Sequence, residues 1–128
     1  HPVTILESYF LVDGWHPCSI AIDIMGRKKH QLIGLVTGRQ MPGTAKGTVF
    51  ITLEDAHYSL NVIVWPAIVR AYRAALLGSH LLGVSGRIQK QGKIIHFIAD
   101  KLVNCDLYLQ YLRTSELKMP ILKSRNFH

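Results

Sequence analysis

This sequence is short of several residue types, and each shortage closes off a class of function. Only two of its 128 residues are cysteine, Cys18 and Cys105. They stand alone, with no CxxC and no HxxxH spacing in the chain, so a structural zinc site is not expected. A disulfide between them stays open, but two lone cysteines fit a reduced, cytosolic pair better. No apolar run approaches the roughly 18 residues of a membrane span and no signal peptide is visible, so no membrane partner is expected. Acidic residues are scarce, 8 against 15 Lys and Arg. Asp55, Asp100 and Asp106 form no spaced carboxylate set suited to two-metal chemistry. The 7 histidines are scattered, among them His16, His30, His57, His80 and His96, with no Ser or Cys at motif spacing to act as a nucleophile. No catalytic residue, metal site or cofactor is expected in this chain.

What is present describes a basic globular domain. Hydrophobic content of 48% with charged content of 18% argues against disorder, and 128 residues suffice for one domain with a proper core. The net charge of +7 and pI near 9.7 point to polyanion affinity, with a merely solvated basic surface as the plain alternative. The chain opens at His1 rather than methionine, and a piece cut from a longer protein is expected.

Periodicity supplies the elements. Residues 1–30 read as an approach segment. Pro2 opens a helix with Val3, Leu6 and Phe10 on one face, and the turn chemistry of Asp13-Gly14-Trp15-His16-Pro17 ends it. Ser19–Met25 reads either as a strand, with Ile20, Ile22 and Ile24 alternating, or as a short helix capped by Ser19; the helix is favoured. Three strands follow, over Leu32–Gln40, Thr48–Glu54 and Tyr58–Trp65. In the second, Val49, Ile51 and Leu53 alternate with Thr48, Phe50, Thr52 and Glu54, the period of a sheet with one face in a core and one open. Glycines 34 and 38 inside the first strand predict a bulge or close backbone approach, as where a sheet coils into a small barrel. Pro66 to Gly78 reads as a helix, with Ile68, Tyr72 and Leu76 on one face. Strands over Leu81–Lys90 and Lys93–Asp100 then meet at a tight Gln91-Gly92 turn.

The order β-β-β-α-β-β predicts a mainly β fold, the five-stranded Greek-key OB barrel with a helix between strands three and four. Its sheet face and flanking loops commonly take oligonucleotides. The barrel spans residues 31–107, and 108–128 is expected to be a C-terminal helix and basic tail ending Lys123-Ser124-Arg125-Asn126-Phe127-His128.

Three stretches carry a resemblance: GLVTGRQMPGTAKGTVFITLED, NVIVWP, and LLGVSGRIQKQGKIIHFIADKL. With the closing SRNFH, they resemble the C-terminal OB region of the bacterial error-prone DNA polymerases, relatives of the polymerase III alpha subunit. The RQMPGTAKG loop is the specific part; FITLED is shared with many OB domains, including anticodon-binding domains of aminoacyl-tRNA synthetases. The chain departs from the family after LED, where Ala56-His57-Tyr58-Ser59 replaces a turn that usually holds an acidic residue and a glycine. The resemblance implies a cytoplasmic, bacterial parent that performs template-directed DNA synthesis in damage-induced translesion repair, with its active site upstream of this chain. It implies as partners single-stranded DNA or primer-template, the rest of the polymerase chain and other translesion proteins.

Single-strand binding combines stacking on aromatics with a cationic groove. Phe50, on the open face, is the expected stacking residue; its alternative is coverage by the helix or the approach segment. By local similarity to the FIDLRD strand of anticodon-binding domains, Gln40 and Asn61 are the expected base-edge readers. Arg39 and Lys46 flank the first loop, and Arg87, Lys90 and Lys93 surround the last hairpin, as expected phosphate contacts. Trp65 reads equally as helix packing or as a stacking platform, and His96 as a partly buried structural histidine. Two other functions stay open, a protein-docking module of the translesion complex and an RNA- or anticodon-binding OB domain.

Overall fold

In the computed structural model, which describes residues 1–112, the chain opens with α1 (Pro2–Val12). Pro2 suits the first turn, and His1 replaces the usual Ser or Asp cap, its Nδ1 accepting from the Val3 N–H at 3.1 Å. Val3, Leu6 and Phe10 are buried, the face that the spacing predicts. Gly14, at φ +89°, turns the chain after Asp13, and β1 (His16–Pro17) lies parallel to the next strand, His16 opposite Leu32.

Five long strands then make the barrel: β2 (His30–Gln40), β3 (Val49–Glu54), β4 (Ser59–Val64), β5 (Leu81–Gln91) and β6 (Ile94–Asn104). The sheet order is β1-β2-β3-β4-β6-β5, and β2 also pairs with β5, which closes the ring. Strand β2 manages this by changing partner midway. Its first half, His30 to Leu35, pairs with β5, and its second half, Leu35 to Gln40, pairs with β3. The register shift falls between Val36 and Gly38, where the strand glycines predict a bulge. A second shift, between Ser85 and Gly86, lets β6 cross tightly over β5, and here only glycine fits. A Cβ at Gly86 would stand 2.0 Å from the carbonyl oxygen of Ile98. Among the described residues this is the OB barrel of the β-β-β-α-β-β reading.

Two hydrophobic clusters hold it together. Inside the barrel lie Ile51, Leu53, Val62, Val64, Val84, Ile88 and Phe97. Outside it, Val3, Leu6, Phe10 and Trp15 pack on Ile33, Leu81 and Cys105. Leu32 and Ile33 are therefore both buried although they point opposite ways, one into each cluster. Burying Val3, Leu6 and Phe10 contributes on the order of 1.5–3 kcal/mol per side chain, which fastens the approach segment to the barrel. Cys18 and Cys105 are free thiols, buried in different clusters.

Three expectations are corrected. Ser19–Met25 forms neither an α-helix nor a strand; Cys18–Ile22 is a 3-10 helix. Its buried positions, Cys18 and Ala21, followed by Ile24, recur every three residues, the period of that helix. Ser19 does not cap it: the cap position falls on Pro17, and Ser19 lies inside the helix with its N–H donating to Asp55 Oδ2 at 2.7 Å. The helix between β4 and β5 is broken in two, α2 (Pro66–Ala71) and α3 (Arg73–Gly78), at Tyr72 with φ −124° and ψ 32°. Val69 of the first piece and Leu76 of the second are both buried in the barrel interior. Gly78 is the last helical residue, and Ser79 makes the exit in extended conformation. The strands of the last hairpin run further than predicted, to Gln91 and Asn104. Residues 109–112 are helical, while the predicted tail with SRNFH lies outside the described residues.

Candidate nucleic-acid interface

The outer face of the barrel is assembled by strand register. Residues directly opposite on neighbouring strands share a face, so a line of partners can be followed from strand to strand. One line runs Gly38, Thr52, Asn61, His96, Gln89, crossing β2, β3, β4, β6 and β5. The line beside it runs Gln40, Phe50, Ile63, Ile98, Arg87. The first is polar from Thr52 to Gln89. The second is apolar at its centre and polar at both ends. Side by side they form a stripe on which a planar ring can lie with its edge over hydrogen-bonding groups.

Phe50 is at the heart of this stripe and is 39% exposed, so neither the helix nor the approach segment covers it. Around it Gly38, Gln40, Thr52, Asn61 and His96 line a depression of about 240 Å³. The structure thus brings together the three residues expected to read a base, Gln40, Phe50 and Asn61. It adds Thr52 and His96, which the sequence reading missed as site residues. His96 was legible in part, since it alternates outward on β6. Its neighbourhood was not, because Asn61 and His96 meet only through the parallel pairing of β4 with β6.

The hairpin that presents Phe50 and Asn61 is locked by one carboxylate. Asp55 Oδ1 accepts from the N–H groups of His57 at 2.9 Å and Tyr58 at 3.0 Å, and the Asp55 N–H donates to the Tyr58 carbonyl at 3.0 Å. This Asx arrangement closes the turn with no positive φ, so no glycine is needed there. Burial alone would raise the Asp55 pKa, but the hydrogen bonds from Ser19, His57 and Tyr58 outweigh it and hold the carboxyl below its ordinary value.

The expected phosphate contacts divide. Lys46 is exposed, in left-handed conformation at φ 52° in the loop between β2 and β3, and Lys93 is exposed in the β5–β6 turn. That turn has positive φ at Gly92 alone, +61°, as a two-residue turn with glycine first requires. Arg87 ends the apolar line, its Nε donating to the Arg27 carbonyl at 2.8 Å. Lys90 lies opposite Ile95 and reaches the carbonyls of Ile24, at 2.7 Å, and Ile22, at 3.4 Å. Arg39 lies opposite Ile51 rather than in line with Phe50, and its guanidinium donates to Leu76 O at 2.7 Å and to Ser79 O. Arg39 therefore closes the C-terminal end of α3, and its role in the fold is the sealing of those carbonyls. Between the 24–27 loop and the last hairpin runs a groove of about 830 Å³ that continues the stripe past Arg87 and Gln89.

No helix among the described residues is long and apolar enough to cross a membrane. No family model matches this sequence. Individual proteins do. The chain is 40% identical over 128 residues, all of its length, to the error-prone DNA polymerase of Vibrio parahaemolyticus, and 40% identical over 131 residues to that of Dechloromonas aromatica. It spans about 12% of the length of either relative. Among solved structures it is similar to asparaginyl-tRNA synthetase from Pyrococcus horikoshii, with a TM-score of 0.52 at 17% identity, over 62% of this chain and 20% of that one. At that identity the likeness speaks for the fold alone, and it agrees with the closed barrel described above. The sequence matches run the full length of the chain, and they give it its place: it corresponds to the C-terminal OB-fold region of the error-prone DNA polymerases.

Proposed function

We propose that this domain holds single-stranded DNA on the face built by β2, β3, β4 and β6, as the C-terminal module of a DNA-directed DNA polymerase. The parent would act in translesion synthesis and repair, in the bacterial cytoplasm, with catalysis performed upstream of this chain. One observation carries the reading. An exposed aromatic, Phe50, is ringed by hydrogen-bonding groups, Gln40, Thr52, Asn61 and His96, on the open face of a basic OB barrel. Stacking tolerates any base because every base has a π-face, while the polar line beside Phe50 satisfies base edges. Backbone charge falls to Lys46 and Lys93, the two expected cations with exposed positions in the bordering loops, with Arg87 at the far end of the stripe.

Fluorescence anisotropy with a labelled single-stranded oligonucleotide across a salt series tests this. Binding that weakens steeply with salt is expected, as phosphate contacts release counterions. Phe50→Ala should weaken it roughly 5- to 150-fold, the range for loss of one stacked base. Absence of salt-sensitive binding at tens of micromolar in low salt would refute the reading, and tighter binding of RNA than DNA would favour the anticodon-type alternative.

A further inference from the structure

Beyond Phe50 the open face does not stop at the end of β4. Val49 pairs with Val64 as the last rung of the β3–β4 ladder, and the next residue, Trp65, keeps extended geometry with φ −69° and ψ 157°. Alternation therefore carries Trp65 to the same side as Ile63 and Asn61, the side that bears Phe50. Trp65 is 49% exposed, and it provides no side-chain cap to the helix that begins at Pro66. A large aromatic left this open at a helix start is not explained by packing.

Its setting is that of the expected loop. Phe50 lies opposite Ile63, so Trp65 is its diagonal neighbour, and such positions stand roughly 7–8 Å apart along a β pair. Gly47 approaches Pro66, with its Cβ direction 3.7 Å from the proline ring, which brings the end of the β2–β3 loop beside the Trp65–Pro66 step. Lys46, exposed and preceding Gly47, and Met41, 54% exposed at the other end of that loop, complete the surroundings. A second exposed ring diagonal to Phe50, with a cation on the adjoining loop, suits the neighbouring nucleotide of one strand.

We infer that Trp65 is a second stacking platform, taking the nucleobase next to the one on Phe50, with Lys46 at the phosphate between them. This rests on the single-stranded DNA reading above and extends it from one base to two. The direction follows: the strand leaves the Phe50 depression toward the β2–β3 loop and the start of α2. The platform discriminates little among bases, because it offers a face rather than hydrogen bonds.

The chain has 2 tryptophans, and Trp15 is buried at 8% exposure, which makes indole fluorescence a selective probe of Trp65. The 128-residue chain is titrated with oligothymidylates of increasing length, following indole emission and anisotropy together. Saturable quenching is expected, abolished in Trp65→Ala and kept in Trp15→Phe. Trp65→Ala should weaken a long oligonucleotide roughly 5- to 150-fold while leaving the shortest binding oligonucleotide, held by Phe50, near wild-type affinity. Trp65→Phe should restore most of the loss, and matching circular dichroism of all variants excludes misfolding. Salt-sensitive binding with unchanged indole emission and wild-type affinity in Trp65→Ala overturns the second platform and leaves the Phe50 reading standing. Absence of any DNA binding overturns both.

Discussion

Replacing Asp55 by alanine should destabilise the domain by about 3–4 kcal/mol. Asp55 is 4% exposed and is the acceptor for three backbone N–H groups, those of Ser19, His57 and Tyr58. Hydrogen bonds to a charged group are worth about 1.5–3 kcal/mol each, and a buried donor left unsatisfied costs about 1–3 kcal/mol. The full sum is not reached, because the 55–58 turn lies at the surface and water recovers part of it. A loss of this size is a large fraction of a domain's usual stability of about 5–15 kcal/mol. The charge adds a pH signature. The folded-state pKa is depressed, so the stabilisation is fully present above the ordinary aspartate value and is lost as pH falls through the folded one. Urea unfolding at pH 7 and at pH 3, for wild type, Asp55→Ala and Asp55→Asn, reads both effects. Wild type should lose much of its advantage over Asp55→Asn at the lower pH. An Asp55→Ala loss under 0.5 kcal/mol, or a wild-type advantage over Asp55→Asn that does not shrink on acidification, would show that the carboxylate does not organise the turn. Since that turn joins the strands presenting Phe50 and Asn61, DNA affinity should fall in the same variants.

Further outcomes follow from other contacts. Arg39→Ala should cost about 1–2 kcal/mol in urea unfolding by exposing the Leu76 and Ser79 carbonyls, and should leave the salt dependence of DNA binding unchanged. Lys93→Ala should do the reverse, holding stability within about 0.5 kcal/mol while reducing the salt slope by about one. Gly86→Ala should prevent native folding, seen as loss of the cooperative thermal transition, because the added Cβ meets the backbone of β6 at 2.0 Å. Neither thiol should react with Ellman's reagent in the native state at pH 8, and both should react in denaturant. Burial pushes the Cys18 thiol up, and pushes Cys105 up to about 11.

The barrel was legible in the sequence because its cause is local. Val49, Ile51 and Leu53 alternate with Phe50 and Thr52, and a two-residue period assigns faces without knowledge of any partner strand. Phe50 on the open face, the bulge near Gly38 and the glycine turn at Gly92 follow from that pattern and from backbone sterics. Other features needed the tertiary structure, since they are made by residues far apart in the chain. Ser19 reads as a helix cap, yet the helix starts before it, at Cys18, and its N–H is held by Asp55, 36 residues on. The smooth helical spacing of Ile68, Tyr72 and Leu76 hides a break at Tyr72 that only the backbone reveals. Charge was the least legible property. Arg39, Lys90 and Lys93 look alike as basic residues near loops, yet Arg39 and Lys90 spend their hydrogen bonds on carbonyls of α3 and of the approach segment, and Lys93 stands exposed in its turn. A long cation reaches whichever acceptor the fold sets within its length, and sequence spacing does not encode that distance. Chain pattern alone made the sheet and chose its open side, while closure of the barrel decided which side chains meet there, joining His96 to Asn61 and leaving Trp65 uncovered beside the loop that carries Lys46.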